Sequence, residues 1–363
     1  PGFVQVVPAP SNAHYYEILD RTGHRRAGLT VLLDSQQRVL RAELCYYERY
    51  HALEPVQEEI FDRAVEIVES NYLGNGLSSD LAVIDGTRSH YRDQGSGPVL
   101  LMLHGSRASL HQWDGWVAEL GGRFRIVRLD LAAHGLTGAD GRNDMTAERQ
   151  IDQVDGLVRQ LGLERFVLVG TSSGSTVSVR YAAAHPERVE KLVLSTVPLQ
   201  LPTRPRTARL DALVFWFHEK VLGTTATSLY WRTFLRSIYG DPSRVTPAQV
   251  ERYRVLNNFP GRDAEFRARI ASWRSRGGPE RDYGLAAGVT APVLIQWGVA
   301  GPVLPRELHC RIAEAFKSAT VRVISYPDLG HKLVMEDPVR TARDALRFIV
   351  EGTGGESCGG GAR

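Results

Sequence analysis

The feature that most constrains this chain is a set of six short apolar runs: PVLLMLHG from residue 98, RIVRLDL from 125, FVLVGTS from 166, KLVLSTV from 191, PVLIQWG from 292 and VRVISYP from 321. Each has the length of a strand and is bounded by Gly, Pro or charged residues. Stretches with helical periodicity lie among them, over 110–120, 147–161, 174–184, 306–316 and 338–350. A strand with one wet face would alternate polar and apolar residues. Continuous apolar strands alternating with helices instead require a mostly parallel sheet with helices on both faces. A hairpin, LAVIDG then SHYRDQG, precedes the first run. The fold class is therefore α/β, with the core over 78–198 and 289–352.

Three segments fall outside that alternation. Residues 199–288 are rich in aromatics, Phe215, Trp216, Tyr230, Trp231 and Tyr253 among them, and read as a helical lid. Residues 1–77 read as a small α+β N-terminal appendage: short strands over 15–19, 29–33 and 39–47, then an amphipathic helix over 55–72 with Val56, Ile60, Phe61, Ala64, Ile67 and Val68 on one face. A unit of that size buries little surface alone, so it is expected to pack on the core or to make a homodimer contact. The glycine-rich tail, 353–363, is expected to be disordered.

Composition narrows the partners. Lys and Arg number 44 against 41 Asp and Glu, and without a basic face neither nucleic acid nor a membrane surface is expected. A small-molecule substrate is. No apolar run reaches the roughly 20 residues that span a bilayer, and the first residues show no basic-then-apolar leader pattern. Cys45, Cys310 and Cys358 are far apart and form no Cys/His cluster. They are expected to be free thiols in a reducing, cytoplasmic compartment, with no structural metal.

The chemistry is carried by a G-x-S-x-G pattern, which occurs twice. Gly355–Gly359 lies in the tail with no strand before it and no helix after it. Gly170-Thr171-Ser172-Ser173-Gly174 follows the strand RFVLV and opens the helical stretch STVSVRYAAAHP. That strand–turn–helix context is what a strained nucleophile turn needs. Gly170 and Gly174 give the small neighbours such a turn requires. The helix N-terminus offers N–H groups to a developing oxyanion.

Taken in order, VLLMLHGSRASLHQW, RLDLAAHGLTG, LVGTSSGS, APVLIQWG and YPDLGHKLVMEDP resemble the motifs of the α/β-hydrolase superfamily. The branch is the lid-bearing one of esterases, meta-cleavage-product hydrolases, epoxide hydrolases and haloalkane dehalogenases, and the resemblance spans 79–352. It implies an α/β-hydrolase fold with Ser172 as nucleophile and His331 as base. It implies an oxyanion hole from the N–H groups of Ser106 and Ser173, set by the His104-Gly105 loop. Neither a metal nor an organic cofactor is called for. Epoxide hydrolases and dehalogenases carry Asp at the elbow, so Ser172 points to acyl chemistry. Asp130, His134 and Glu336 match positions that are mostly structural in the family, and Trp113, Trp116 and Trp297 read as packing.

One position departs from the pattern. Where relatives have an acid after the strand PVLIQWG, this chain has Gly301, and the alternative acid position in LVLSTVPLQ carries no carboxylate either. The acid orients the histidine and stabilises its imidazolium; its replacement in a serine protease lowers kcat about 10⁴-fold. Asp328 is the nearest substitute in sequence. Three functions follow. The chain is a serine hydrolase or acyltransfer enzyme acting on a carbonyl bond of a bulky apolar molecule through Ser172 and His331. Alternatively it is a non-hydrolytic cyclase or lyase of a biosynthetic pathway, or a ligand-binding pseudoenzyme.

Overall fold

The six apolar runs become the parallel centre of one sheet. The computed structural model describes residues 80–84, 86–137, 146–199, 209–218, 226–258, 262–301, 303 and 308–356, together with the backbone of four earlier strands. Those strands are β1 (Phe3–Gln5), β2 (Ala13–Leu19), β3 (Arg25–Leu33) and β4 (Val39–Tyr46), paired antiparallel in the order β1-β2-β3-β4. The helix expected over 55–72 lies outside the described residues.

The main sheet holds β5 (Asp80–Ile84), β6 (Thr87–Gln94), β7 (Val99–Leu103), β8 (Arg125–Leu129), β9 (Phe166–Thr171), β10 (Val189–Ser195), β11 (Val293–Gly298) and β12 (Val321–Tyr326). Their order is β12-β11-β10-β9-β7-β8-β6-β5. The pairs from β12 to β8 are parallel, and the β5–β6 hairpin adds the antiparallel edge. The helices are α1 (Asp114–Leu120), α2 (Ala147–Gln160), α3 (Ser173–Ala184), α4 (Arg209–Phe217), α5 (Ser228–Ile238), α6 (Pro247–Asn257), α7 (Arg262–Ser275), α8 (Gly278–Ala286), α9 (Leu308–Ala313), α10 (Leu333–Glu336) and α11 (Pro338–Glu351). The helix expected over 110–120 divides into a tight 3₁₀ turn at Leu110–Trp113 and then α1. Asp130 Oδ1 captures the Leu110 N–H at 2.6 Å and anchors that turn.

Alternate residues of each strand enter opposite cores, as the strand period demands. Leu101, Leu103 and Leu168 pack with Val154 of α2, Val177 of α3 and Ile312 of α9. Leu100, Met102 and Val169 pack on the other face with Trp116 of α1 and Phe348 of α11. Each fully buried Leu or Val contributes about 1.5–3 kcal/mol of transfer free energy, so both faces of the sheet are held. The segment between β10 and β11 carries α4 to α8 and has its own core of Trp231, Leu235, Val250 and Tyr253, which includes Ala108 of the loop after β7. Thr246 and Gln249 start α6 with a reciprocal capping box.

Two expectations change. Order continues past 353: Glu356 pairs with Val323 through hydrogen bonds of 2.9 and 2.8 Å, extending the β12 edge. Cys310 is disulfide-bonded, to a partner outside the residues whose side chains are described. It is therefore not the free thiol that its isolation in sequence suggested, because spacing along the chain says nothing about approach in space. Among the described residues, no helix is long and apolar enough to cross a membrane, and no group of three or more His, Cys, Asp or Glu side chains is placed to hold a metal ion.

Candidate active site

Ser172 stands between β9 and α3 with φ 52° and ψ −125°. Few residues other than glycine adopt that region, and holding one there costs roughly 1–3 kcal/mol. Crowding makes the turn possible only with glycine on either side. A Cβ on Gly174 would lie 2.4 Å from the carbonyl oxygens of both Leu103 and His104, and one on Gly170 would lie 2.5 Å from Ser178 Oγ. The Ser172 N–H donates to the Ser195 carbonyl at 2.9 Å, which pins the elbow to the end of β10.

His331 reaches the elbow from the loop after β12, and its Nε2 lies 2.9 Å from Ser172 Oγ. The backbone of that loop is held on three sides. The His331 N–H donates to Ile238 O at the end of α5 (2.9 Å), the Gly330 N–H donates to Glu336 Oε1 (2.9 Å), and Thr196 Oγ1 donates to His331 O (3.1 Å). Burial, joined by the nearby Lys332 charge, pushes the imidazole from its ordinary 6.5 down to about 3. The ring is therefore neutral at physiological pH.

The other side of the ring is unusual. His331 Nδ1 is buried and has no hydrogen-bond partner among the described residues. Gly301 is packed against the backbone of Gly330 and His331. The substitute named from sequence, Asp328, is engaged elsewhere. Asp328 accepts from Arg340 Nη1 at 2.9 Å and is exposed, so it is not the replacement acid. Glu336 accepts from the N–H groups of Gly240, Asp241 and Gly330 and braces the loop; burial raises its pKa against those bonds. In the stretch LVLSTVPLQ, Thr196, at φ 49°, turns its hydroxyl to the carbonyls of Ser195 (2.8 Å) and His331 (3.1 Å).

The loop after β7 brings Ser106 against the start of α3. Ser106 Oγ donates to Ser173 Oγ at 2.9 Å, so the two segments meet beside Ser172. A Cβ on Gly105 would come within 2.9 Å of Ser172 Cβ, which is why that residue is glycine. His104 accepts from the Leu131 N–H at Nε2 (3.0 Å) and so donates from Nδ1 to Gly105 O (2.7 Å), which sets the loop. Asp130 is buried, takes His90 Nδ1 at 2.7 Å and accepts the N–H groups of Leu110 and Leu136. It organises two loops and does not reach Ser172. Trp113, Trp116 and Trp297 are buried in the core.

A cavity of about 240 Å³ opens above Ser172, lined by Ser106, His134 and Ser173 at the near end and by Phe266, Ile270 and Trp273 of α7. Sequence reading missed two groups, one lining the cavity and one beside His331. Arg180 of α3 lines the cavity and pairs with Asp282 at 2.6 Å. Lys332, next to His331, is 1% exposed, and burial lowers its amine from 10.5 to about 7. Its Nζ stands 5.7 Å from the Tyr253 ring. A lone lysine inside the apolar stretch after the histidine was the signal for the second. Nothing local signalled the first, whose partner is 102 residues away.

With sheet order, elbow and histidine in place, the class is defined. Residues 98–338 match the alpha/beta hydrolase fold family, and the chain belongs to it. Among similar proteins, 2-hydroxymuconate semialdehyde hydrolase from a Pseudomonas species is 31% identical over 73% of this chain and 92% of its own length. Fluoroacetate dehalogenase from a Burkholderia species is 29% identical over 72% of this chain and 90% of its own. The solved meta-cleavage product hydrolase from Pseudomonas fluorescens superposes with a TM-score of 0.62 at 22% identity, covering 76% of this chain and 98% of that one, and shows the shared fold.

Proposed function

We propose that this chain is a serine hydrolase or acyltransfer enzyme acting on a carbonyl bond of a bulky, mostly apolar small molecule, with the helices of 199–288 as its lid. The observation that carries the proposal is the 2.9 Å contact between His331 Nε2 and Ser172 Oγ at a strained elbow that faces a cavity. Ser172 Oγ attacks the carbonyl carbon and His331 Nε2 takes its proton. The N–H groups of Ser106 and Ser173 receive the oxyanion, and His331 returns the proton to the leaving group. Water, or another acyl acceptor, then repeats the cycle on the acyl-enzyme. The hydrolase names of relatives agree with this reading. Serine at the elbow favours it over dehalogenation, which in this superfamily uses Asp.

Labelling with an active-site fluorophosphonate tests it. Ser172 is expected to be modified, and Ser172→Ala to lose both labelling and ester turnover. An unlabelled wild-type protein at high concentration would count against the proposal.

A second reading is favoured by His331 Nδ1, which has no hydrogen-bond partner among the described residues. If the ring proton sits on Nε2, His331 is a hydrogen-bond donor toward Ser172 and suits carbonyl polarisation in a non-hydrolytic lyase or cyclase. In that case Ser172→Ala keeps most activity, whereas His331→Ala does not.

A further inference from the structure

The cavity above Ser172 has a direction. Ser172, Thr176 and Arg180 line it at four-residue spacing along one face of α3. At 1.5 Å per residue, Arg180 lies about 12 Å along the axis from Ser172. Its side chain leans back toward the N-terminal end, as helical side chains do. Phe266, Ile270 and Trp273 of α7 form an apolar wall. The slot therefore leads from the elbow, past that wall, to a guanidinium.

Arg180 is held so that one edge is left over. Its Nε and Nη2 donate to Oδ1 and Oδ2 of Asp282 at 2.6 and 2.9 Å. Asp282 of α8 is fully buried and also accepts from Trp273 Nε1 at 2.8 Å. Arg180 is 7% exposed, lines the cavity, and its Nη1 makes no hydrogen bond among the described residues. The pair with Asp282 engages Nε and Nη2 and leaves over the Nη1 of this cavity-lining residue, with Glu148 as a second carboxylate that feels its charge. Arg269 and Arg274 line the same cavity, and no carboxylate is among its lining residues.

We propose that Arg180 anchors an anionic group of the substrate. The substrate is then an elongated, medium-chain acyl compound with a carboxylate at the end remote from the carbonyl that Ser172 attacks. This rests on the hydrolase reading above. The size agrees: an apolar cavity of about 150 Å³ takes one benzene, so 240 Å³ holds about ten heavy atoms.

The test compares two p-nitrophenyl esters of equal chain length, the octanoate and the mono-ester of octanedioic acid, on the full chain. The charged ester is expected to have the higher kcat/KM, by about tenfold to a hundredfold, the range of a charge-assisted hydrogen bond. The gain should reside in KM and shrink as salt rises. Arg180→Gln alone would leave Asp282 buried and unpaired, so the variant to use is Arg180→Gln with Asp282→Asn, its fold checked by melting temperature. In it the ratio between the two esters should fall to about one. Equal rates in the wild type, or a preference that survives the double variant, would overturn the anchor. If neither ester is cleaved, calorimetric binding of octanedioate and octanoate to Ser172→Ala protein decides. Tighter binding of octanedioate that depends on Arg180 keeps the anchor and discards only hydrolysis; equal binding discards the anchor.

Discussion

A Cβ built on Gly301 would lie 2.9 Å from the backbone nitrogen of His331 and 3.0 Å from Gly330 Cα. Gly301 is not among the residues with positive φ, so space rather than backbone strain governs what this position accepts. A carboxylate placed there starts beside the backbone of Gly330 and His331, and the two loops must part by a few tenths of an ångström to admit it. Gly301→Asp is therefore expected to raise hydrolysis of p-nitrophenyl acetate, short of the ~10⁴-fold an intact acid is worth in a serine protease, and to lower the melting temperature. A folded variant whose rate is unchanged would favour the non-hydrolytic reading.

The depressed pKa of His331 moves the acid limb of the rate profile below the ordinary histidine range. Burial first, and the Lys332 charge second, favour the neutral ring down to about pH 3, so Nε2 remains a competent base in mild acid. The profile of kcat/KM is expected to show no acid limb near pH 6.5, where an ordinary histidine titrates, and to fall only well below it. The same shift acts on stability. The unfolded chain takes up a proton below 6.5 that the folded chain refuses, so stability should decline as pH falls from 6.5 toward 3. A rate profile breaking at 6.5 would show that the ring is solvated in the working enzyme.

Lys332 is expected to cost the fold stability. Burial depresses its amine to about 7, so between pH 7 and 10.5 the unfolded state holds a proton that the folded state has released. Stability contributed by this group therefore rises with pH across that window, and the penalty is full below it. Lys332→Met should raise the melting temperature by several degrees at pH 6, with the advantage shrinking toward pH 10. Thermal scans of both proteins across that range test it; a constant difference would mean that the amine is paired or wet.

Much of the core was legible because its signals are local. The run FVLVGTS had to be a buried strand, and Gly170 and Gly174 had to flank a tight turn, since the residues that demand this lie within a few positions of one another. The His104-Gly105 loop and the histidine after β12 were readable for the same reason. Elsewhere local reasoning failed. Asp328 is three residues from His331 along the chain, yet it faces Arg340 in solvent. Cys310 stands alone in sequence but is bridged in space.

The sequence by itself determined the element order, the elbow serine, the histidine and the absence of an acid at Gly301, because period, turn chemistry and residue identity are properties of short segments. Only the tertiary structure decided what those absences mean. It showed His331 Nδ1 buried and without a partner among the described residues. It put the Thr196 hydroxyl on the carbonyls of Ser195 and His331, and it joined Arg180 to Asp282 across 102 residues at the wall of the cavity. These are relations between segments that meet only when the sheet and the helices between β10 and β11 close around one site. Distance along the chain carries no information about them.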